Sequence, residues 1–267
     1  MQCVLSNGIV HHYRDDGARG GDAIVFINSL GTDLRVWDAV APAYQNNHRV
    51  IRYDKRGHGL SGLGPDEATI DQFAGDLDEL LGELAVERAT IVGLSIGGLI
   101  ALGLYARSPQ RVRSLFFADT AHRIGDANTW NSRIATVLAD GLDTIADPIL
   151  ERWFTPGFRK RSPVELAGWR NMLVRTPARG YATACAAIRD ADFTETARRV
   201  AVPATCVVGD QDGSTPVTLV EAFAGLVPQA HFSIIADAGH LPGVEQPAAF
   251  IGELNAHLAR EAANARS

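Results

Sequence analysis

The sequence predicts an α/β protein, in which a mainly parallel β-sheet carries helices on both faces and a helical cap is inserted near its middle. Short apolar, β-branched runs alternate with stretches of helical periodicity in both terminal parts of the chain. This alternation stops between residues 121 and 196, where no clear strand pattern occurs. We therefore expect a core made of residues 1–120 and 197–267 and a cap made of residues 121–196.

The first elements are predicted to be a hairpin and a buried strand. Residues 3–14 alternate apolar and polar side chains around an Asn-Gly dipeptide, which favours a tight turn. Residues 23–27 are continuously apolar, as in strands that are covered on both faces. Thr32 or Asp33 is placed to cap a helix that carries Trp37.

The rest of the core is predicted to continue the alternation of strands and helices. Residues 49–53 and 112–118 have strand patterns, and residues 70–84 place apolar side chains at helical spacing with acidic residues on the other face. Beyond the cap, residues 204–208 and 231–235 are two further apolar strands. Each of these is followed by a helical pattern, which is typical of parallel sheets.

The cap is predicted to consist of several short helices. Three of the four tryptophans of the chain lie in this region, together with many arginines. Proline interrupts a helix because it lacks the N–H donor and clashes with the preceding turn. The helical patterns of the cap are interrupted at Pro148, Pro156, Pro163 and Pro177.

The composition argues against nucleic acid and membranes as partners. The 267 residues carry a formal net charge of −6, and the basic residues are scattered rather than clustered. No apolar run has membrane-spanning length, and no secretory signal pattern is present. Three cysteines without metal-binding spacing are consistent with reduced thiols. We expect a soluble cytoplasmic protein, and the sequence leaves open whether it forms a homo-oligomer.

One stretch, residues 90–105, predicts a nucleophile. A strand pattern runs directly into a helical pattern, and Ser95 lies at the junction. Gly93, Gly97 and Gly98 surround it as G-x-S-x-G-G, so that no side chain crowds a serine at a strained turn. An isolated motif of this kind is equally compatible with a glycine-rich helix start. The assignment therefore depends on partner residues.

A serine nucleophile needs a base and an acid that orients the base. His240 is the predicted base, since it alone combines a turn after a strand with the chain order serine, acid, histidine. Asp212 is the preferred acid because it lies a few residues beyond a strand and beside a glycine. Asp210 and Asp119, which also follow strands, remain alternatives. The carboxyl ends of parallel strands share one edge of the sheet, where these side chains can converge.

Two main-chain N–H groups are predicted to stabilise the oxyanion of the reaction. The N–H of Ile96 lies at a helix N-terminus, where unpaired amides and the helix dipole favour negative charge. The loop after the first inner strand is expected to supply the second donor, which we assign to Leu30. The alternative for this loop is an ordinary strand-to-helix turn.

Five segments carry a resemblance to known enzymes: residues 26–33 (FINSLGTD), 52–59 (RYDKRGHG), 93–98 (GLSIGG), 119–125 (DTAHRIG) and 152–155 (RWFT). Through them the chain resembles the α/β-hydrolase superfamily and, within it, the 3-oxoadipate enol-lactonases of the β-ketoadipate pathway. It departs from the pattern of these enzymes at Ile96, which is usually Met, and at His122, which is usually Ala. It also has Asp119 where Asn is common.

The resemblance implies an eight-stranded sheet and a serine hydrolase that opens 3-oxoadipate enol-lactone to 3-oxoadipate through an acyl-enzyme, as a step of aromatic catabolism. No metal and no organic cofactor is expected. The substrate carries a carboxylate, for which Arg133 and Arg123 in the cap are candidate partners. Trp130 and Trp153 are candidate apolar walls, and Asn28 is expected to contact the substrate from the loop of the oxyanion donor.

Other functions are compatible with the same triad. A carboxylesterase, a C–C bond hydrolase and a cofactor-free perhydrolase would each keep Ser95 and its partners. A ligand-binding receptor on a hydrolase scaffold would keep the triad without turnover. In every case the expected partner is a small molecule.

Overall fold

The computed structural model describes residues 1–264, and positions 265–267 of the predicted core lie outside the described residues. The described residues form one eight-stranded sheet with the strand order β1-β2-β4-β3-β5-β6-β7-β8. Strand β2 runs antiparallel to both of its neighbours, β1 and β4, and all other pairs are parallel. The strands are β1 (Gln2–Ser6), β2 (Ile9–Gly17), β3 (Ala23–Ile27), β4 (Arg49–Tyr53), β5 (Ala89–Leu94), β6 (Val112–Ala118), β7 (Ala204–Gly209) and β8 (His231–Ile235).

The inner strands are buried on both faces. Every residue of β3, β5 and β7 is buried, because helices cover both sides of the sheet and remove alternate side chains of each strand from water. The edge strands β1 and β8 keep exposed positions. This pattern confirms the predicted fold class, and it accounts for continuous apolar runs at the centre and alternating runs at one edge.

The helices of the first half of the core are α1 (Ile70–Glu83) and α2 (Ile96–Arg107). Helix α1 begins with a capping box, in which the Thr69 hydroxyl accepts the N–H of Gln72 and the Gln72 side chain accepts the N–H of Thr69. The helix predicted around Trp37 is only a short 3₁₀ helix, Leu34–Trp37, with Asp33 as its cap. A second 3₁₀ turn, Ala41–Ala43, follows.

Six α-helices and one 3₁₀ helix, Leu142–Ile145, lie between β6 and β7 in the chain, and the described part of this region contains no strand. The prolines expected to interrupt helices instead lie at or near their beginnings: Pro156 and Pro163 are first residues of helices, Pro148 is the third residue of one, and Pro177 is the residue before one. The first turn tolerates proline because its N–H groups have no partner within the helix. The helices are α3 (Ala127–Asp140), α4 (Ala146–Trp153), α5 (Pro156–Arg161), α6 (Pro163–Val174), α7 (Ala178–Arg189) and α8 (Thr194–Arg198).

The chain completes the core with α9 (Val217–Leu226), α10 (Pro242–Glu245) and α11 (Pro247–Asn264). Phe250 of α11 packs against Trp37 and Phe116, with ring centroids 5.8 and 5.4 Å apart, so the last helix closes one face of the sheet. Among residues 1–264, no helix combines the length and the hydropathy that crossing a bilayer requires.

Candidate active site

Ser95 stands at a strained turn between β5 and α2. Its φ of +57° lies in the left-handed region, which non-glycine residues rarely adopt. Two hydrogen bonds fix this turn: the N–H of Ser95 donates to the Ala118 carbonyl at 3.0 Å, and the Thr120 hydroxyl donates to the Ser95 carbonyl at 2.6 Å. Neighbouring elements therefore hold the serine at the end of β5.

The glycines around Ser95 allow close backbone packing. A Cβ atom on Gly93 would lie 2.4 Å from the carbonyl oxygen of Gly97, and one on Gly97 would lie 2.4 Å from the carbonyl oxygen of Ile27. Both contacts are with backbone atoms, which cannot move aside without disturbing β3 or α2. The glycines of the motif are thus required by the geometry of the turn and not by the start of a helix alone.

Asp212 and His240 form a buried pair at the same edge of the sheet. Asp212 follows β7, His240 follows β8, and His240 Nδ1 lies 2.8 Å from Asp212 Oδ2. The second carboxylate oxygen of Asp212 accepts the N–H groups of Ser214 and Thr215, at 2.7 and 3.1 Å. The Thr215 hydroxyl donates to Oδ2 at 2.5 Å. Four donors therefore orient this carboxylate.

The environment keeps Asp212 ionised. Burial by itself raises the pKa of this carboxyl, but the charge and hydrogen bond of His240, with the bonds from Thr215 and Ser214, outweigh it and lower the pKa below the usual value. A carboxylate can only accept, so the proton of the neutral imidazole is assigned to Nδ1. This leaves His240 Nε2 with a free lone pair, as a general base requires.

The two alternative acids occupy different positions. Asp210 uses its carboxylate to accept the N–H of Ala238 at 3.1 Å, which links the loop after β7 to the loop after β8. Asp119 is fully buried, and its Oδ1 accepts the N–H of Gly209 at 2.9 Å. Burial, and then the nearby charge of Asp212, raise the pKa of Asp119 well above its usual value. Both effects favour the protonated form of Asp119 beside the Asp212 carboxylate.

One ligand atom from each of Asp119, Asp212 and His240 lies within 4.8 Å of the other two. This spacing would allow a metal ion, but the chemistry of the donors does not. Asp212 and His240 Nδ1 are already bonded to each other, and burial beside Asp212 disfavours the ionised form of Asp119 that a metal ion would need. The residues present do not favour a cation site.

Ser95 and His240 line one cavity of about 100 Å³, together with Leu30, Arg152 and Tyr181. The hydroxyl of Ser95 makes no hydrogen bond to another described residue, so it is available to a ligand. Two larger and more open surface grooves contain neither Ser95 nor His240. Ligand sites for drug-sized molecules usually measure about 300–1,000 Å³, so this cavity favours a small substrate.

The predicted oxyanion donors lie beside Ser95. Leu30 is buried and lines the cavity, and Ile96 is the first residue of α2, where helix N–H groups have no partner within the helix. Neither main-chain N–H donates a hydrogen bond within residues 1–264. The side chain of Ile96 is fully buried, so only its backbone can serve the reaction.

The candidate substrate contacts divide into two groups. Trp130, Trp153 and Arg133 line the cavity as expected. Asn28 and Arg123 do not. The side chain of Asn28 is fully buried and donates to the Thr32 carbonyl, so it shapes the loop instead of the cavity wall. Arg123 is exposed.

Two arginines provide positive charge at the cavity. Arg133 lies over the ring of Trp130, with 4.8 Å between its guanidinium carbon and the ring centroid. Arg152, at the end of α4, is the second arginine of the cavity wall and replaces the predicted Arg123 in that position. Neither forms a salt bridge with a carboxylate of the described residues. Both charges are therefore available to an anionic ligand.

A family model for the alpha/beta hydrolase fold matches residues 22–247. The chain belongs to the α/β-hydrolase fold family. Among curated proteins, 3-oxoadipate enol-lactonase 2 of Acinetobacter baylyi is 34% identical over 96% of each chain. 3-Oxoadipate enol-lactonase 1 of the same organism is 35% identical over 88% of each chain.

A solved enol-lactonase structure is also similar to this chain. The enol-lactonase from Burkholderia xenovorans LB400 superposes with a TM-score of 0.93 at 36% identity, over 97% of this chain and 100% of that chain. The predicted resemblance to enol-lactonases is therefore confirmed, and the protein is a lactone or ester hydrolase.

Sequence reasoning missed several residues that hold the site together. Glu245 accepts the Gly239 N–H at 2.8 Å and the Thr155 hydroxyl at 2.7 Å, and the N–H of His240 donates to the Trp153 carbonyl at 2.9 Å. These bonds join the histidine loop to α4 and α5. In the sequence, Glu245 stands out only because it lies near the Gly-His turn. That position does not indicate that its partner, Thr155, lies 90 residues away.

Proposed function

We propose that this hydrolase opens 3-oxoadipate enol-lactone to 3-oxoadipate, with Ser95 as nucleophile, His240 as base and Asp212 as the acid that orients the base. The observation that carries the proposal is one small cavity that combines Ser95 and His240 with the free charges of Arg133 and Arg152. A small carboxylate-bearing lactone matches both features. The similarity to enol-lactonases supports the same substrate.

In the first half of the reaction, the Ser95 hydroxyl attacks the lactone carbonyl carbon and His240 Nε2 takes its proton. The carbonyl oxygen becomes an oxyanion, which accepts the N–H groups of Leu30 and Ile96. Losing one such donor typically costs about 3 kcal/mol of barrier. The ring C–O bond then breaks, the enol oxygen takes the proton from His240, and the acyl group remains on Ser95.

In the second half, water attacks the acyl-enzyme and gives a proton to His240 Nε2. A second oxyanion forms in the same place and collapses, and Ser95 leaves with the proton of His240. The enol product tautomerises to the 3-oxo acid. Asp212 stays ionised throughout and stabilises the imidazolium that forms in each half.

In this proposal the carboxylate of the substrate pairs with both Arg133 and Arg152. A guanidinium binds a carboxylate through two parallel hydrogen bonds, which fixes orientation as well as position. In this proposal residues 121–196 act as a cap that contributes both arginines and the rings of Trp130 and Trp153. The reaction belongs to aromatic catabolism through the β-ketoadipate pathway.

The decisive experiment is a spectrophotometric assay with enzymatically generated 3-oxoadipate enol-lactone, with p-nitrophenyl acetate as a second substrate and Ser95→Ala as the control variant. We expect rapid turnover of the lactone that Ser95→Ala abolishes. Turnover of the nitrophenyl ester alone would replace the lactonase with a general carboxylesterase. Stoichiometric binding of the lactone without turnover would indicate a receptor on a hydrolase scaffold.

A further inference from the structure

Lys55 is a buried lysine with no role in the proposed chemistry. It follows β4, only 1% of its surface is exposed, and it is one of only two lysines in the chain, the other being the exposed Lys160. Lysine is almost never fully buried unless its ammonium has partners. The partners of this one therefore indicate what it does.

The ammonium of Lys55 binds the loop that carries Leu30. Its Nζ donates to the carbonyl of Ser29 at 2.6 Å and to the carbonyl of Thr32 at 3.3 Å. The Ser29 carbonyl also accepts the Thr32 hydroxyl at 2.9 Å. Because these are backbone acceptors, the lysine fixes the path of the main chain and not the rotamer of a side chain.

The Ser29 carbonyl and the Leu30 N–H belong to the same peptide unit. This unit is planar and trans, so its C=O and N–H point in opposite directions. A cation that holds the carbonyl on one side therefore sets the direction of the N–H on the other side. The same charge also polarises the peptide, which strengthens the N–H as a donor.

We infer that Lys55 is a positioning residue for the oxyanion hole, which clamps the Ser29–Leu30 peptide so that its N–H faces the carbonyl oxygen of the substrate. The inference rests on the proposed role of Leu30 and adds the element that orients it. This role also explains why an ionisable side chain occupies the interior at position 55, where burial of a neutral side chain would cost less free energy.

The surroundings of the ammonium set its protonation. Burial lowers the pKa of Lys55 to about 7, and the carboxylates of Asp54 and Asp33 oppose this effect. His58 is the other titratable group nearby, and burial followed by the charge of Lys55 lowers its pKa well below the usual value. Lys55 therefore gains or loses its charge near neutral pH. Its neutral amine still has N–H groups that can donate to the two carbonyls.

The first test compares Lys55→Met with Lys55→Gln and with Lys160→Met as the matched control, using p-nitrophenyl acetate. We expect Lys55→Met to lower kcat about 10- to 100-fold with little change in KM, less than the full loss of an oxyanion donor because the Thr32 hydroxyl still holds the carbonyl. Lys55→Gln, which keeps a donor, should be intermediate, and Lys160→Met should equal wild type. The inhibition constant of phenylboronic acid, whose tetrahedral adduct on Ser95 places an oxygen in the hole, should rise in parallel.

A second test needs no substitution in the site. When lysine is isotopically labelled at the ε-carbon, NMR should show one signal for each of the two lysines. The spectrum of Lys160→Met identifies the signal that belongs to Lys55. If the charged ammonium stabilises the oxyanion, the anionic boronate adduct must in turn stabilise the charged ammonium. Formation of the adduct should therefore raise the pKa of Lys55 and leave the pKa of Lys160 unchanged. Both tests use reagents other than the lactone, so loss of the lactonase assignment would leave them interpretable. A folded Lys55→Met with wild-type kcat, or a Lys55 signal whose titration ignores the boronate, overturns the inference.

Discussion

Asp119 lies beside Asp212, the residue that holds His240, in a buried position that favours the protonated form of its carboxyl group. The two acids follow neighbouring strands, β6 and β7, both are buried, and each has a carboxylate oxygen within 4.8 Å of a ring nitrogen of His240. Because burial and the charge of Asp212 raise the pKa of Asp119 well above its usual value, we expect the pair to carry one negative charge and not two. A neutral amide of the same shape should therefore substitute for Asp119.

Asp119→Asn is expected to retain kcat/KM close to wild type for p-nitrophenyl acetate, since its amide oxygen can still accept the Gly209 N–H. Asp119→Leu removes that acceptor and should cost about 1–3 kcal/mol of unfolding free energy, together with activity. Steady-state kinetics and urea unfolding of both variants measure this. Equal activity loss in the two variants would contradict a neutral Asp119.

The same substitution predicts a change in pH dependence. Asp119 has a raised pKa in the folded state, so the folded protein binds more protons than the unfolded chain above the ordinary pKa of the group. Its contribution to stability is present at low pH and is lost as pH rises through the folded pKa. Relative to Asp119→Asn, wild type should therefore lose unfolding free energy as pH increases, which denaturant titrations at several pH values can measure.

Asp212→Asn should lower kcat by about 10,000-fold, because an amide cannot hold the imidazole in the tautomer that leaves Nε2 free. Asp210→Asn is the matched control, since Asp210 bonds the Ala238 N–H and not His240. Its activity should remain near wild type. A large loss in Asp210→Asn with a small loss in Asp212→Asn would reassign the acid.

Arg133→Met and Arg152→Met should each reduce kcat/KM for the enol-lactone about 10- to 100-fold, the usual effect of losing a charge-assisted hydrogen bond. Hydrolysis of p-nitrophenyl acetate, which has no carboxylate, should be unaffected. Arg123→Met provides the control for removal of a cap charge outside the cavity. Parallel losses on both substrates would mean that the arginines support the fold and not the recognition of a carboxylate.

Gly97→Ala should destabilise the protein by roughly 1–3 kcal/mol, because the added Cβ would lie 2.4 Å from the Ile27 carbonyl oxygen in β3. Gly252→Ala is a matched control in the exposed middle of α11, where nothing lies within 4 Å. It should stabilise the protein by about 0.5–1 kcal/mol. Thermal melting compares the two variants directly, and a stable Gly97→Ala would show that the turn has more room than its contacts indicate.

Lys55→Met should stabilise the protein most at low pH. The folded pKa of Lys55, about 7, lies below the ordinary lysine value of 10.5, so the unfolded chain binds more protons between these values. Wild-type stability therefore rises with pH in that window, and the advantage of the variant shrinks. Chemical unfolding at pH 6 and pH 9 tests the sign, and an advantage that grows with pH would contradict a buried ammonium.

The strands and the turn at Ser95 could be predicted because their signals are local. Buried parallel strands need continuous apolar runs, and a serine at a left-handed turn needs neighbouring glycines, so both leave a pattern in a few adjacent residues. The loops after β7 and β8 were likewise identified from their aspartates, their glycines and their order in the chain.

Other features depend on contacts between distant segments and leave no local pattern. Arg123 and Arg152 are both cap arginines beside apolar residues, and only the packing of α4 against the core brings Arg152 to the cavity. The contact of Lys55 with Ser29 spans 26 residues, and that of Glu245 with Thr155 spans 90. Each of these pairs is decided by the tertiary structure.

The bonds from Glu245 to Thr155 and from His240 to the Trp153 carbonyl have a mechanical consequence. Any outward swing of α4 and α5 must either rupture these bonds or drag the imidazole away from Ser95. If substrate entered by movement of these two helices, each opening would displace His240 from Ser95 or break these bonds. A substrate therefore has to reach Ser95 without displacing α4 and α5.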